Sequence, residues 1–313
     1  MNSNALLLKV AEMYYYEKLS QREISLRLGL SIPTVSRLLK EAFNKGIVQV
    51  KIENIEKRLF QMEKELEKKF SLEKAIVIDL NVQIDQWSSK KILAKEASKI
   101  ITNFFSPGDL IGIGPGETIF EMISSLSIET KIPNIRIIPL MGGWSIHNVQ
   151  YETNKLAIFM AYALGCDFYL LTVPAFVSSP YIKEKFLNEP QIRECIKKWE
   201  EVKVAIFSIG PEIEYSILPL IAQDNTLINE VKRRGGVSDI LGRIINEDGE
   251  ELDIFFNKCL ISIDFNQLLR IPIRIGIGGV SKIRGIKASL KKGIINILIT
   301  DREACTYLLE KGG

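Results

Sequence analysis

The sequence predicts an α/β protein, with an N-terminal helix-turn-helix (winged-helix-like) domain followed by a larger Rossmann-like, doubly wound α/β domain. Three observations carry this. Two short capped helices meet across a glycine turn near the N-terminus. From Ala75 onward, short Ile/Val/Leu-rich runs alternate with amphipathic segments. The length of 313 residues is enough for two domains at about 150 residues each. The expected boundaries are 1–53 for the helix-turn-helix, 54–70 for a linker helix and 71–313 for the α/β body.

Composition narrows the function classes. Hydrophobic residues make up 46% and charged residues 25%, an ordinary globular balance that argues against a disordered chain. The long uncharged runs, 137–151 and 168–182, contain proline or glycine and fall short of the roughly 18 to 20 apolar residues of a membrane helix. The first eleven residues lack the order of a secretory signal. A cytoplasmic protein without membrane contact is expected. The four cysteines are far apart in sequence, which removes CxxC redox and zinc motifs. A single histidine, His147, removes His-pair metal sites. No metal and no cofactor are expected.

The N-terminal elements follow from their caps. Leu6, Leu7, Val10, Met13 and Tyr14 recur at helical spacing. Ser20 and Glu23 form a capping box, and Gly29 suits a left-handed helix end. Ser31 is the next N-cap, with Pro33 in the first turn. Val35, Leu38, Leu39 and Ala42 give this second helix a buried face, so Thr34, Ser36, Arg37 and Lys40 fall on the other side. Small hydroxyls and cations near a helix N-terminus suit the major groove and its phosphates. Residues 1–52 carry eight Lys and Arg against four Glu, whereas the whole chain is only +3. A basic segment before a near-neutral body suits a nucleic-acid reader joined to something else. Val48, Val50 and Ile52 alternate with polar residues, predicting a short strand or wing.

Ile55, Leu59, Met62, Leu66 and Phe70 approach a heptad seam. Two uses stay open: self-association, or one amphipathic helix packing on the following domain.

In the body, strands are expected at 75–78, 110–113, 136–140, 168–172, 202–209, 274–277 and 294–299. Helices are expected at 90–104, 117–126, 154–164 and 281–291. This alternation indicates a parallel sheet covered on both faces, whose ligands bind at the carboxyl ends of the strands. Three glycine turns follow strands: Gly112 to Thr118, Gly142-Gly143, and Gly278-Gly279-Val280-Ser281-Lys282. Glycines let backbone N–H groups approach an anion at a helix start. Lys282, in the first turn of a helix, opposes the helix dipole, a cost an anionic ligand would offset. Asp239 can accept hydrogen bonds from sugar hydroxyls, or else cap the segment from Ile240 on or form a turn.

These segments together resemble the SorC family of bacterial transcription regulators, also described as DeoR-like sugar-binding regulators. The likeness rests on Leu19 to Ile24, Thr34 to Ala42, Gly46-Ile47-Val48 and Gly112-Ile113-Gly114. It continues through Pro139 to Gly143, Asn154, Val173-Pro174-Ala175, Gly236 to Arg243, and the tail from Gly278 to Lys282 and Asn296 to Asp301. The resemblance implies an effector domain similar to the glucosamine-6-phosphate deaminase and ribose-5-phosphate isomerase fold, without their catalysis. It implies a bound sugar or sugar phosphate that changes affinity for operator DNA, and a homo-oligomer, dimer or tetramer. Operator contacts would come from Gln21, Ser31, Thr34, Ser36, Arg37 and Lys40. The effector would meet Gly114, Gly116, Glu117, Thr118, Gly142, Gly143, Asp239, Gly279 and Lys282.

Three positions depart from the family pattern. Ile32 stands where a basic residue is common and could instead touch a thymine methyl. Glu117 lies in the first glycine turn, where an acid repels phosphate. Ser238 replaces a glycine before Asp239. The rival reading is a sugar-phosphate isomerase or deaminase fused to a DNA-binding module, with Glu117, Asp239 or His147 as base. A third is an oligomerisation scaffold without ligand. The regulator, not an enzyme, is the expectation.

Overall fold

The computed structural model describes residues 3–48, 55–80, 86–126, 132–145 and 149–311. The chain divides into two compact units, Met1–Ile55 and Glu56–Gly313.

The first unit holds three helices: α1 (Ser3–Tyr15), α2 (Gln21–Leu28) and α3 (Ile32–Asn44). Their apolar faces meet in one core of Leu7, Val10, Ala11, Met13, Ile24, Val35, Leu38, Leu39 and Ala42. The capping box at Ser20 is complete: Glu23 N donates to Ser20 Oγ at 3.2 Å and Ser20 N to Glu23 Oε2 at 2.8 Å. Gly29 ends α2 at φ 66°, the left-handed conformation glycine tolerates. Ile47 and Val48 pack on the core, while Val50 and Ile52 of the expected wing lie outside the described residues.

The second unit opens with α4 (Ile55–Phe70) and is built on a seven-stranded sheet in which all pairings are parallel. The strands are β1 (Lys74–Ile78), β2 (Leu110–Ile113), β3 (Arg136–Pro139), β4 (Asp167–Phe168) and β5 (Val202–Ser208). After a two-stranded hairpin of β6 (Gly236–Ile240) and β7 (Arg243–Asn246) come β8 (Ile273–Ile277) and β9 (Ile297–Asp301). The order is β1-β9-β8-β5-β2-β3-β4, so the chain changes direction between β5 and β2. Alternate side chains feed two separate cores. Ile111, Ile113, Val204 and Ile206 enter one, and Leu110, Ala205 and Phe207 the other. This is the doubly covered sheet that continuous apolar strands require.

The seam of α4 is used within the chain. Leu66 is fully buried, and Leu59, Met62 and Phe70 pack on the core of the same unit. Packing on the following domain is the use the structure shows.

Several element limits differ from expectation for local reasons. Only Phe168 of the run 168–172 is strand, in a two-residue β4 that begins at Asp167. The side chain of Asn154 instead takes both backbone groups of Leu171, accepting its N–H at 2.8 Å and donating to its carbonyl at 3.2 Å. Residues 294–296 are connection rather than strand, because Gly293 ends the preceding helix at φ 70°, Ile294 and Ile295 cross the core, and the Asn296 side chain donates to Pro272 O and accepts from Arg274 N. The helix expected at 90–104 runs from Gln86 to Ile100 and finishes in a 3₁₀ turn, Ile101–Phe104. Asp239 lies in β6 of the hairpin and caps no helix, but its Oδ2 accepts from Gly242 N at 3.1 Å in the turn that follows.

Candidate functional site

In the first unit, α3 presents Ser36, Arg37 and Lys40 to solvent, opposite its buried Val35, Leu38 and Leu39. Thr34 is half-buried. Ser31 Oγ accepts from Thr34 N at 3.3 Å and lies 2.7 Å from Thr34 Oγ1, so both hydroxyls are tied to the helix start. Gln21 is half-buried at the first residue of α2. Ile32 is 46% exposed, an apolar side chain held at the mouth of α3.

In the second unit, a cavity of about 560 Å³ lies at the carboxyl ends of β2, β3, β5 and β8. That is the crevice where the strand order reverses, the place such sheets bind ligands. Gly116, Glu117, Thr118, Asp239 and Lys282 all line it. Gly279 lines a smaller neighbouring cavity of about 230 Å³, which shares Lys90, Thr118, Ser281 and Lys282 with the first.

The helix Ile283–Lys292 begins at Ile283 rather than Ser281, so Lys282 is its N-cap and not a residue of its first turn. It is buried, and its Nζ donates to Thr118 Oγ1 at 3.5 Å. Burial pulls its ammonium down to about 8, and the neighbouring Lys90 adds to this, while Asp239 and Glu117 oppose it. Asp239 is pushed up to about 6 by burial, against the Gly242 N–H it accepts at 3.1 Å and against Lys282. Among the described residues neither group has an ion-pair partner within 4 Å, and each feels the other only at longer range, the condition a charged or polyhydroxyl ligand relieves.

Glu117 does not face the cavity as a free acid. It forms an ion pair with Lys90, a residue that sequence reading passed over because it looked like one more cation on an amphipathic helix. Gly116, at φ 122°, is the N-cap of the helix Glu117–Ser124 and gives it no side-chain cap, so the first-turn amides stand at the cavity edge. The loop carrying Lys282 is held from β9. Asp301 accepts from Val280 N at 2.9 Å and Ala304 N at 2.7 Å, and Thr300 Oγ1 donates to Gly278 O at 2.7 Å.

The other glycines expected at the effector do not line either cavity. A Cβ on Gly114 would lie 2.6 Å from Leu241 and 2.7 Å from Phe207. One on Gly142 would meet the Pro174 carbonyl at 2.7 Å, and one on Gly143 the Glu152 carboxylate at 2.6 Å. These glycines permit close backbone crossings behind the site. Their neighbours Met141 and Trp144 reach the cavity instead, as do Tyr151 and Tyr215. His147 lies outside the described residues.

A helix-turn-helix in one unit and a ligand-sized cavity at the sheet reversal of the other define a ligand-responsive DNA-binding regulator. Residues 56–310 match the family described as "Putative sugar-binding domain", and residues 9–45 match sigma-70, region 4. The chain belongs to that first family, the SorC-type transcriptional regulators. It is 26% identical to the sorbitol operon regulator of Klebsiella pneumoniae over 97% of this chain and 98% of that one. It is 29% identical to the transcriptional regulator LsrR of Escherichia coli K12, over 96% of this chain and 93% of that one. The crystal structure of full-length SorC from Klebsiella pneumoniae shares the fold at a TM-score of 0.74, with 23% identity, 99% of this chain and 100% of that one covered. A DeoR family regulator from Listeria monocytogenes aligns at 0.74 with 24% identity, covering 80% of this chain and 99% of that one. These relatives are regulators rather than enzymes, and the chain is a DNA-binding transcriptional regulator with a sugar-binding domain. Among the described residues no helix is long and apolar enough to cross a membrane.

Proposed function

We propose that the effector is a phosphorylated sugar bound in the 560 Å³ cavity, and that its binding changes the affinity of α3 for operator DNA. The observation that carries this is the buried Lys282, close to a second cation, Lys90, and to the uncapped start of the helix Glu117–Ser124. Lysine ammonium groups and open helix amides together favour a phosphate. Glu117, the apparent obstacle, is neutralised by Lys90. Asp239 accepts from sugar hydroxyls. In the first unit Arg37 and Lys40 reach phosphates or base edges, with Ser36, Thr34, Ser31 and Gln21 around them.

The regulator acts in the cytoplasm as a homo-oligomer, since two half-sites are read by two copies. Its switch is a population shift. The effector prefers one of two assemblies, and a preference of about 1 to 3 kcal/mol changes operator affinity roughly 5- to 150-fold. Fluorescence anisotropy on DNA from upstream of the protein's own gene, at fixed salt, tests this with a panel of sugars and sugar phosphates. One sugar phosphate should shift the complex while its unphosphorylated form does not. A response to the free sugar alone would refute the phosphate.

A further inference from the structure

The cavity is larger and more two-sided than one phosphorylated monosaccharide needs. A hexose phosphate of about 16 non-hydrogen atoms, at roughly 20 Å³ each at interior packing density, fills on the order of 320 Å³. The cavity measures about 560 Å³. Its cations mark one side. Lys90 and Lys282 also border the smaller neighbouring cavity, and no apolar residue of the main cavity's wall does so.

The other side is aromatic and aliphatic. Trp144 packs on the core cluster that holds Met141 and Leu218, with Ile221 packed against the same cluster. All four also line the cavity, so one apolar cluster supplies its wall there. Tyr151 lines the cavity beside the helix Glu117–Ser124: Gly116 N donates to its carbonyl at 3.0 Å, and its ring packs on Phe120 with centroids 5.4 Å apart. Tyr215 overhangs the same cavity from a 3₁₀ turn and is 80% exposed. An aromatic ring left in solvent at a cavity rim does nothing for the core. Rings of this kind cover the apolar faces of bound ligands.

We infer that the effector is a two-part molecule: a phosphorylated sugar carrying an aryl group or a second sugar ring, whose apolar face lies on Trp144 and Tyr215. The inference rests on the sugar-phosphate reading above and adds the substituent. The phosphate end goes to Lys90 and Lys282. The substituent fills the remaining volume and closes the space between the Trp144 wall and Tyr215. A bare hexose phosphate leaves that wall wet.

Titration calorimetry on the full chain decides it. The probes are the 6-phosphates of glucose, galactose and mannose, their 4-nitrophenyl 6-phospho-β-glycosides, and the same glycosides without phosphate. The best aryl phosphoglycoside should bind about tenfold or more tighter than its matching hexose phosphate. Trp144→Ala should erase that preference and Trp144→Phe should keep it, with thermal melts confirming that both variants fold. Hexose phosphates binding as tightly as their aryl counterparts would overturn this inference and leave the sugar-phosphate reading standing. Aryl glycosides binding equally well without phosphate would overturn the phosphate reading, and this inference as stated with it. No binding by any probe would overturn both.

Discussion

The backbone N–H of Val77 donates to Glu63 Oε1 at 2.9 Å, across the outer edge of the sheet. Two residues along the same edge strand, Ala75 N donates to Glu67 Oε1 at 3.2 Å. β1 ends the sheet, with β9 on its other side, so these amides would otherwise stand unpaired. α4 thus covers the edge with carboxylates from one turn to the next, and its apolar residues pack beneath.

Glu63 carries a testable cost and a testable benefit. Burial raises its carboxyl above the usual range, against the Val77 hydrogen bond. A raised folded value means the ionised form destabilises the fold at neutral pH, a cost absent below the unfolded value. Glu63→Gln keeps an acceptor and removes the charge, so it should melt at or above wild type at pH 7.5. Glu63→Ala leaves the amide unpaired and should lose about 1 to 2 kcal/mol. Thermal melts of the two variants check both signs.

Asp239 carries a pH-dependent cost of the same sign. Its carboxyl is raised from 3.8 to about 6, so its ionised form costs stability above that range. Asp239→Asn should raise the melting temperature at pH 7.5. The difference should fade as pH falls from 6 toward 4, because the wild-type group then protonates. The same variant should lose the effector response in the anisotropy assay. A melting temperature below wild type at pH 7.5 would show that the carboxylate is net stabilising.

Lys282→Ala should abolish the response of the DNA complex to effector, since it removes the buried cation that meets Thr118. Operator affinity without effector should stay intact, because the substitution lies in the other unit. A normal ligand response in this variant would remove the anion role.

Arg37→Ala should weaken operator binding and flatten its salt dependence, by a slope of about 0.9 if the contact is one phosphate. A base-edge contact would instead cost roughly 1 to 3 kcal/mol and relax specificity at one position. Affinity unchanged at matched salt would refute either contact.

Much of this was legible along the chain. Caps, turns and the apolar face of α3 are local, so Ser20, Glu23, Gly29 and Ser31 specify the helix-turn-helix with no help from distant residues. The sheet strands were legible because burial on both faces demands continuous apolar runs. The apolar run also misled at 294–296, where it marks core crossing, and at 169–172, where Asn154 supplies the pairing a strand would have given. The hairpin of β6 and β7 went unread because Asp239 and Arg243 break the apolar pattern, one for the cavity and one to bind backbone carbonyls of Ile263 and Ser262.

By itself, then, the sequence determined the order of domains, the helix-turn-helix, the parallel sheet and the turn that carries Lys282. Each of these is encoded by spacing or by a residue's own backbone preference. Tertiary structure alone decided which turns reach the cavity. It brought Lys90 from a distant helix onto Glu117, set Gly142 and Gly143 against Pro174 and Glu152, and gathered Trp144, Tyr151 and Tyr215 around one cavity. Such meetings depend on the strand order, which places segments far apart in the chain at one sheet end, and no local pattern records that order.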